Sequence, residues 1–180
     1  MLETFDRLEP LLKSDSAEEL LRVEMDENNR IGIRTLGARR RILLEIIRRN
    51  GVAPSDFWQW YFELPMLEKA LASLYLCMKT YRLVFDVHHE LALRKYRIGS
   101  GLTALDVEQF LDLLAGRDKY VGSWSEETLI KLNTQYRKAL KVTNLLRGEQ
   151  LVAPASISPG FWDYFKGHKE EWFLEACFQN

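Results

Sequence analysis

"MLEKALASLYLCMKTYRLVFDVHHELALRKYR", Met66 to Arg97, runs for 32 residues without a proline or a glycine. From Ala70 to Met78 it is apolar on most sides, which predicts a helix with neighbours all round it. Pro65 suits the first turn of such a helix, and "IGSGL" (Ile98 to Leu102) supplies its stop. A single helix over this stretch would be roughly 45 Å long at 1.5 Å per residue. The rest of the chain must pack on it, so the fold is mainly α.

Working outward toward the C-terminus, "TALDVEQFLDLLAG" (Thr103 to Gly116) opens with Thr-x-x-Asp and closes on glycine, the marks of a capped helix. "SWSEETLIKLNTQYRKALKVTNLLRG" (Ser123 to Gly148) has a serine cap and acids in its first turn, and predicts a second long helix. "QLVAPASI" (Gln150 to Ile157) holds two short β-capable pieces around a proline, and is the place for a two-stranded hairpin. "SPGFWDYF" (Ser158 to Phe165) begins a last helical stretch. A helix, a turn, a helix and a hairpin is the order of a winged helix-turn-helix.

Toward the N-terminus, "PSDFWQWYFEL" (Pro54 to Leu64) reads as a short aromatic helix, echoed by "SPGFWDYF". "RTLGARRRILLEIIRRN" (Arg34 to Asn50) is a helix that Thr35 can cap and Gly51 can end. "DENNRIGIRT" (Asp26 to Thr35) is a connector, and "SAEELLRVEM" (Ser16 to Met25) a short acidic helix. The predicted architecture is a compact helical domain with a long central helix and a winged-helix-like segment carrying a short β-hairpin. Residues 1–29 form an acidic N-terminal helical segment and residues 30–180 a single helical domain. A candidate subdivision near 98–103 separates a helical half (30–97) from a winged-helix-like half (103–180).

At 47% apolar and 12% aromatic over 180 residues, there is ample material for a core. Cys77 and Cys177 form no C-x-x-C pair, which argues against a disulfide framework or a zinc site and suits a reducing cytoplasm. The acidic N-terminus lacks an apolar h-region, so no signal peptide is expected. The apolar run Ala70 to Met78 is far shorter than a bilayer-spanning helix, so no membrane association is expected.

Net charge is −1 but unevenly spread. Residues 1–29 hold nine acids and three bases, while residues 30–50 hold seven arginines and one acid. On a helical wheel, Leu36, Leu43, Ile46 and Ile47 form the core face of the arginine helix. Arg34, Arg41 and Arg48, spaced by seven, fall within about 40° of one another on the opposite face. Arg49 is nearby, Arg39 and Arg40 flank the core stripe, and Glu45 can pair with Arg41 or Arg49. Two readings stand. The face is solvated and docks on the acidic segment 1–29, or it binds phosphates, for which arginine's planar fork is suited.

On the Ser123–Gly148 helix, Leu129, Leu132, Tyr136, Leu140 and Thr143 make the core stripe. Lys131, Thr134, Gln135, Lys138 and Lys141 share a polar face with Arg137 beside it. Such a face can touch phosphates and base edges, or it is the ordinary outside of an amphipathic helix.

No P-loop, G-x-G-x-x-G, G-x-S-x-G or H-E-x-x-H is present, so no catalytic residues, cofactor or small-molecule substrate are expected. "DVHHE" (Asp86 to Glu90) has catalytic colour, because Asp86, His89 and Glu90 share a helix side, but further ligands for a metal are missing. It reads as a structural histidine pair. Cys77 reads as core and His168 as surface. Trp58, Trp60, Trp162 and Trp172 either seal helix junctions or stack bases of a single strand.

The stretches "RTLGARRRILLEIIRR", "FWQWYFELPMLEKALASLYLCMKTYRLVFDVHHE", "SWSEETLIKLNTQYRKALKVTNLL" and "FWDYF…EEWFLEACF", taken in order, resemble the BrxA family of BREX phage-defence systems. The resemblance runs over roughly residues 30 to 180, and residues 1–29 match poorly. It implies a small, mostly helical protein, similar to winged-helix and NusB-like folds, that binds double-stranded DNA without catalysis. Relatives of this kind usually place Ser or Thr before the arginine cluster, where this chain has Gly37 and Ala38. The expected function is thus a DNA-binding accessory protein of a phage-defence system. Its phosphate contacts would come from Arg34, Arg39, Arg40, Arg41, Arg48 and Arg49, then Lys131, Gln135, Arg137, Lys138 and Lys141. The alternatives are an adaptor that assembles other BREX proteins and an RNA-binding, antitermination-like module.

Overall fold

The computed structural model describes residues 2–179. The chain forms two compact units, residues 1–80 and 81–180.

The first unit holds five helices: α1 (Leu2–Leu12), α2 (Ala17–Glu27), α3 (Leu36–Asn50), α4 (Phe57–Phe62) and α5 (Met66–Thr80). α1 lies within the expected helical segment 1–29, although no separate helix was drawn there. Its apolar residues at helical spacing, Phe5, Leu8 and Leu12, are buried. The Phe5 ring meets Trp58 edge-on at 5.1 Å and Tyr61 at 5.8 Å, so the aromatic helix α4 is locked by α1. Trp58 also donates its indole N–H to Asn50 Oδ1 at 2.7 Å, which ties α4 to the end of α3. α5 is buried at Ala70, Leu71, Ala72, Leu74, Tyr75, Leu76 and Met78, the residues expected of a helix with several neighbours.

The connector between α2 and α3 is organised by one carboxylate. Glu24 is 4% exposed and accepts the backbone N–H groups of Asn29 (3.2 Å), Arg30 (2.8 Å) and Ile31 (2.9 Å). Asn28 ends α2 in the left-handed region at φ 54°, and its Oδ1 accepts the N–H of Ile33.

The second unit begins where the expected 32-residue helix breaks. Tyr81 is extended (φ −120°, ψ 103°), and Thr80 turns its hydroxyl back to Leu76 O at 2.6 Å. That bond satisfies a carbonyl at the helix end, a role that threonine plays locally. Neither proline nor glycine marks the break, so residue pattern alone could not locate it. The boundary between the two compact units falls at 80/81.

Beyond Tyr81 come α6 (Arg82–Asp86), a π-helical turn (Val87–Ala92) and α7 (Leu93–Arg97), then α8 (Ala104–Arg117), α9 (Lys119–Gly122) and α10 (Glu126–Val142). The capping box of α8 is present: Thr103 accepts from Asp106 N, and the Asp106 side chain accepts from Thr103 N. Strands β1 (Leu146–Arg147) and β2 (Gln150–Leu151) pair antiparallel, and α11 (Pro159–Gly167) and α12 (Trp172–Ala176) complete the unit. The hairpin exists but lies upstream of its expected place in Gln150–Ile157. Gly148, at φ 63°, makes the turn, and the proline segment follows the second strand.

The π-turn positions His88, which is fully buried. Its Nε2 lies 2.7 Å from the carbonyl of Ala176 and its Nδ1 3.0 Å from the Tyr136 hydroxyl. A carbonyl can only accept, so Nε2 carries the hydrogen and Tyr136 donates to Nδ1. One imidazole thereby ties α10 and α12 to the π-turn. Burial lowers its pKa to about 4, so the ring is neutral.

Candidate nucleic-acid interface

α3 starts two residues after Arg34. Thr35 is the N-cap residue, extended at φ −90° and ψ 132°, and the first turn holds no acid. Leu43 and Ile46 are buried, and Ile42 and Ile47 half-buried. Leu36, expected in the core, is 41% exposed, as is Leu44. The apolar stripe is therefore narrower than the wheel drew it.

The arginines divide into three groups. Arg34 and Arg41 are exposed and have no carboxylate within 4.0 Å among the described residues. Arg34 belongs to the approach to the helix, so only Arg41 and Arg48 of the expected triple stand on α3 itself. Arg48 is exposed but bonded to Glu45 at 2.7 Å, and Arg40 lies 3.7 Å from Asp26 of α2. Glu45 thus pairs with Arg48 and, more distantly, Arg49 (3.9 Å), and not with Arg41.

Arg49 and Arg39 turn inward. The Arg49 side chain is only 11% exposed; it donates to Glu45 O at 3.2 Å and hydrogen-bonds the Cys77 thiol. Burial pushes that thiol up, against the pull of the Arg49 charge, so Cys77 is a protonated packing residue. Arg39 is half-buried; its Nη1 donates to Ile33 O at 3.4 Å and its Nε is enclosed. Both guanidinium groups thus give part of their donor set to the fold, which leaves fewer N–H groups for a phosphate than on Arg34 or Arg41.

The acidic segment does pack on the arginine helix, through α2 against α3. Its charge reaches α3 at one place, Asp26 to Arg40, while Glu18 is spent on Arg22 at 2.7 Å within α2. The Arg34, Arg41 and Arg48 set stays open to solvent.

In the second unit, Ser125 caps α10 by accepting from Thr128 N. Tyr136, Leu140 and Thr143 of the expected core stripe are buried, and Leu129 and Leu132 half-buried. Lys131, Gln135, Lys138 and Lys141 are exposed on one face, with Lys131 paired to Glu127 at 2.6 Å. Arg137, one turn before Lys141, borders this face. It is half-buried on the α8 side, with its Nε enclosed. Arg147, exposed on β1 immediately after α10, was missed. Only the placement of the hairpin brings it into view.

The remaining candidates are structural. Asp86 pairs with Arg82 at 2.7 Å, and His89 stacks on Phe85 at 4.0 Å. Among the described residues no group of three or more His, Cys, Asp or Glu could hold a metal ion. Trp58 is buried, and Trp172 meets Phe85 edge-on at 5.4 Å and bonds Glu170, so neither offers a free face for a base. No helix among the described residues is long and apolar enough to cross a membrane.

A family model for BrxA matches residues 2–169. The chain belongs to the BrxA family. That membership ties it to BREX phage defence. The match includes most of the acidic N-terminal segment 1–29, where the resemblance of the sequence itself is poor, in keeping with α1 and α2 being part of the first unit. Neither the curated proteins nor the solved structures contain a significant match to this BrxA-family chain.

Proposed function

We propose that this BrxA-family chain is a non-enzymatic, cytoplasmic, double-stranded DNA-binding accessory protein of a BREX-type defence system. One observation carries the reading: α3 holds Arg41 and Arg48 two turns apart on a solvent-facing stripe, Arg34 precedes it, and the acidic α2 leaves all three uncovered. Arginine forks on a rigid helix bind phosphate oxygens and release counterions, whatever the base sequence. Lys131, Gln135, Lys138 and Lys141 form a second basic surface, next to a hairpin with Arg147. Helix α8, the short α9, helix α10 and a hairpin follow in the order of a winged helix, an order that supports reading α10 as the groove-facing helix.

Salt-titrated binding to a mixed-sequence duplex tests this. With Arg34, Arg40, Arg41 and Arg48 engaged, log K should fall with log salt with a slope of about −3 to −4, at roughly 0.9 per phosphate. Arg41→Glu with Arg48→Glu should remove most of the affinity while leaving the circular dichroism spectrum unchanged. Equal binding by the double variant would dismiss the α3 assignment. No duplex binding by the wild type at low salt would dismiss DNA binding, and tighter binding to an RNA duplex or hairpin would favour the RNA reading.

A further inference from the structure

The side of α10 that faces α8, next to its lysine face, is built differently. α8 and α10 pack together and leave a groove of about 390 Å³ between them. Leu111, Leu129 and Ile130 give it apolar walls, and Glu108, Asp112 and Glu126 give it negative charge. Ile130 is 55% exposed, a large aliphatic side chain presented to water in the middle of the groove. None of the three carboxylates has a Lys, Arg or His nitrogen within 4.0 Å among the described residues. Arg137 lines the same groove, with its Nε enclosed and without a hydrogen-bond acceptor.

We propose that this groove docks a basic amphipathic helix of a partner protein. The occupant's character follows from the lining. Leucine-like side chains at i, i+3, i+4 and i+7 would cover Ile130 and the exposed part of Leu129, as in other helix-in-groove recognition. Lysines or arginines flanking them would meet Glu108, Asp112 and Glu126. Such complementarity sets orientation and on-rate as much as affinity. The last turn of a helix leaves carbonyls without intrahelical partners, to which the half-exposed Arg137 side chain can donate. Basic residues are also favoured in that last turn. Nucleic acid is excluded from this face by its three carboxylates, so α10 divides its surface: lysines on one side, a protein-docking groove on the other. The inference stands independently of DNA binding, because it uses no residue of the α3 stripe or the lysine face.

The test uses the full-length chain and a fluorescein-labelled synthetic helix of leucines and lysines at that spacing, read by fluorescence anisotropy at low salt. The wild type should bind it. Glu108→Gln with Asp112→Gln should weaken binding at least tenfold, and so should Ile130→Ser alone. Both changes are at exposed positions and should leave the helical circular dichroism intact. Glu126 is left unchanged because it sits in the first turn of α10 and supports that helix. Glu18→Gln with Glu19→Gln, on α2, should have no effect. A peptide with the same leucines and glutamates in place of lysines should not bind. No binding of the basic peptide, or equal binding by the groove variants, overturns the proposal. Sedimentation of the wild type as a concentration-dependent oligomer that the Glu108→Gln, Asp112→Gln variant dissolves would assign the groove to a second copy of this chain and overturn the partner assignment.

Discussion

Glu24 and His88 are polar groups that the fold has enclosed and fully engaged. Glu24 holds three consecutive N–H groups of the α2–α3 connector. Glu24→Gln keeps the shape but loses the charge and one acceptor, and should cost about 2 kcal/mol of stability, the scale of hydrogen bonds to a charged group. Chemical denaturation would show this as a lower midpoint with an unchanged slope. His88 makes the protein sensitive to acid. Its folded pKa, about 4, lies below the ordinary 6.5, so the unfolded chain takes up this proton first as pH falls. Its contribution is intact above about 6.5 and is lost between that pH and about 4. The melting temperature should therefore drop from pH 7 to pH 5 more steeply in the wild type than in His88→Gln, whose side chain has no proton to gain. Equal slopes would remove His88 as the cause.

At the scale of elements, α3 and α10 each present two different faces. On α3 the buried face carries Leu43 and Ile46, and the open face carries Arg41 and Arg48. Spacing by seven made that division readable on a wheel. The wheel could not show that Arg49 and Arg39 turn back into the unit, because their partners, Cys77 and the Ile33 carbonyl, lie on other elements. On α10, Lys138→Glu with Lys141→Glu should reduce the salt slope of duplex binding by about two contacts' worth, roughly 1.8 log units per log salt, if both reach phosphate. Titration of this variant beside the Arg41→Glu, Arg48→Glu variant would apportion binding between the two helices. An unchanged slope would leave α3 as the sole phosphate surface. Arg137→Ala should leave that slope unaltered, since its side chain faces the α8 groove.

For the molecule as a whole, net charge is a poor guide. A chain at −1 would be a weak candidate for polyanion binding by that measure. Yet the acids of residues 1–29 are largely spent within the first unit, on Arg7, Lys13, Arg22 and the connector backbone. The net positive charge of residues 30–50 is not cancelled locally, because α2 meets α3 mostly through packing and at one ion pair. Low ionic strength should therefore reveal duplex binding in a near-neutral protein, the distribution of charge mattering more than its sum.

Helical character, the capped starts of α8 and α10, and the arginine stripe are local properties, since each depends on residues within a few positions of one another; all were legible in the sequence. The break at Tyr81, the turn at Gly148 rather than near Pro154, and the burial of Arg49 were not. They depend on what distant segments offer: a helix end satisfied by Thr80, a register that pairs Leu146 with Leu151, a thiol on α5 within reach of a guanidinium on α3. Sequence alone determined which faces were apolar and which were charged. Tertiary packing decided which of the charges are left for a partner, because only assembled elements can neutralise, enclose or expose a side chain.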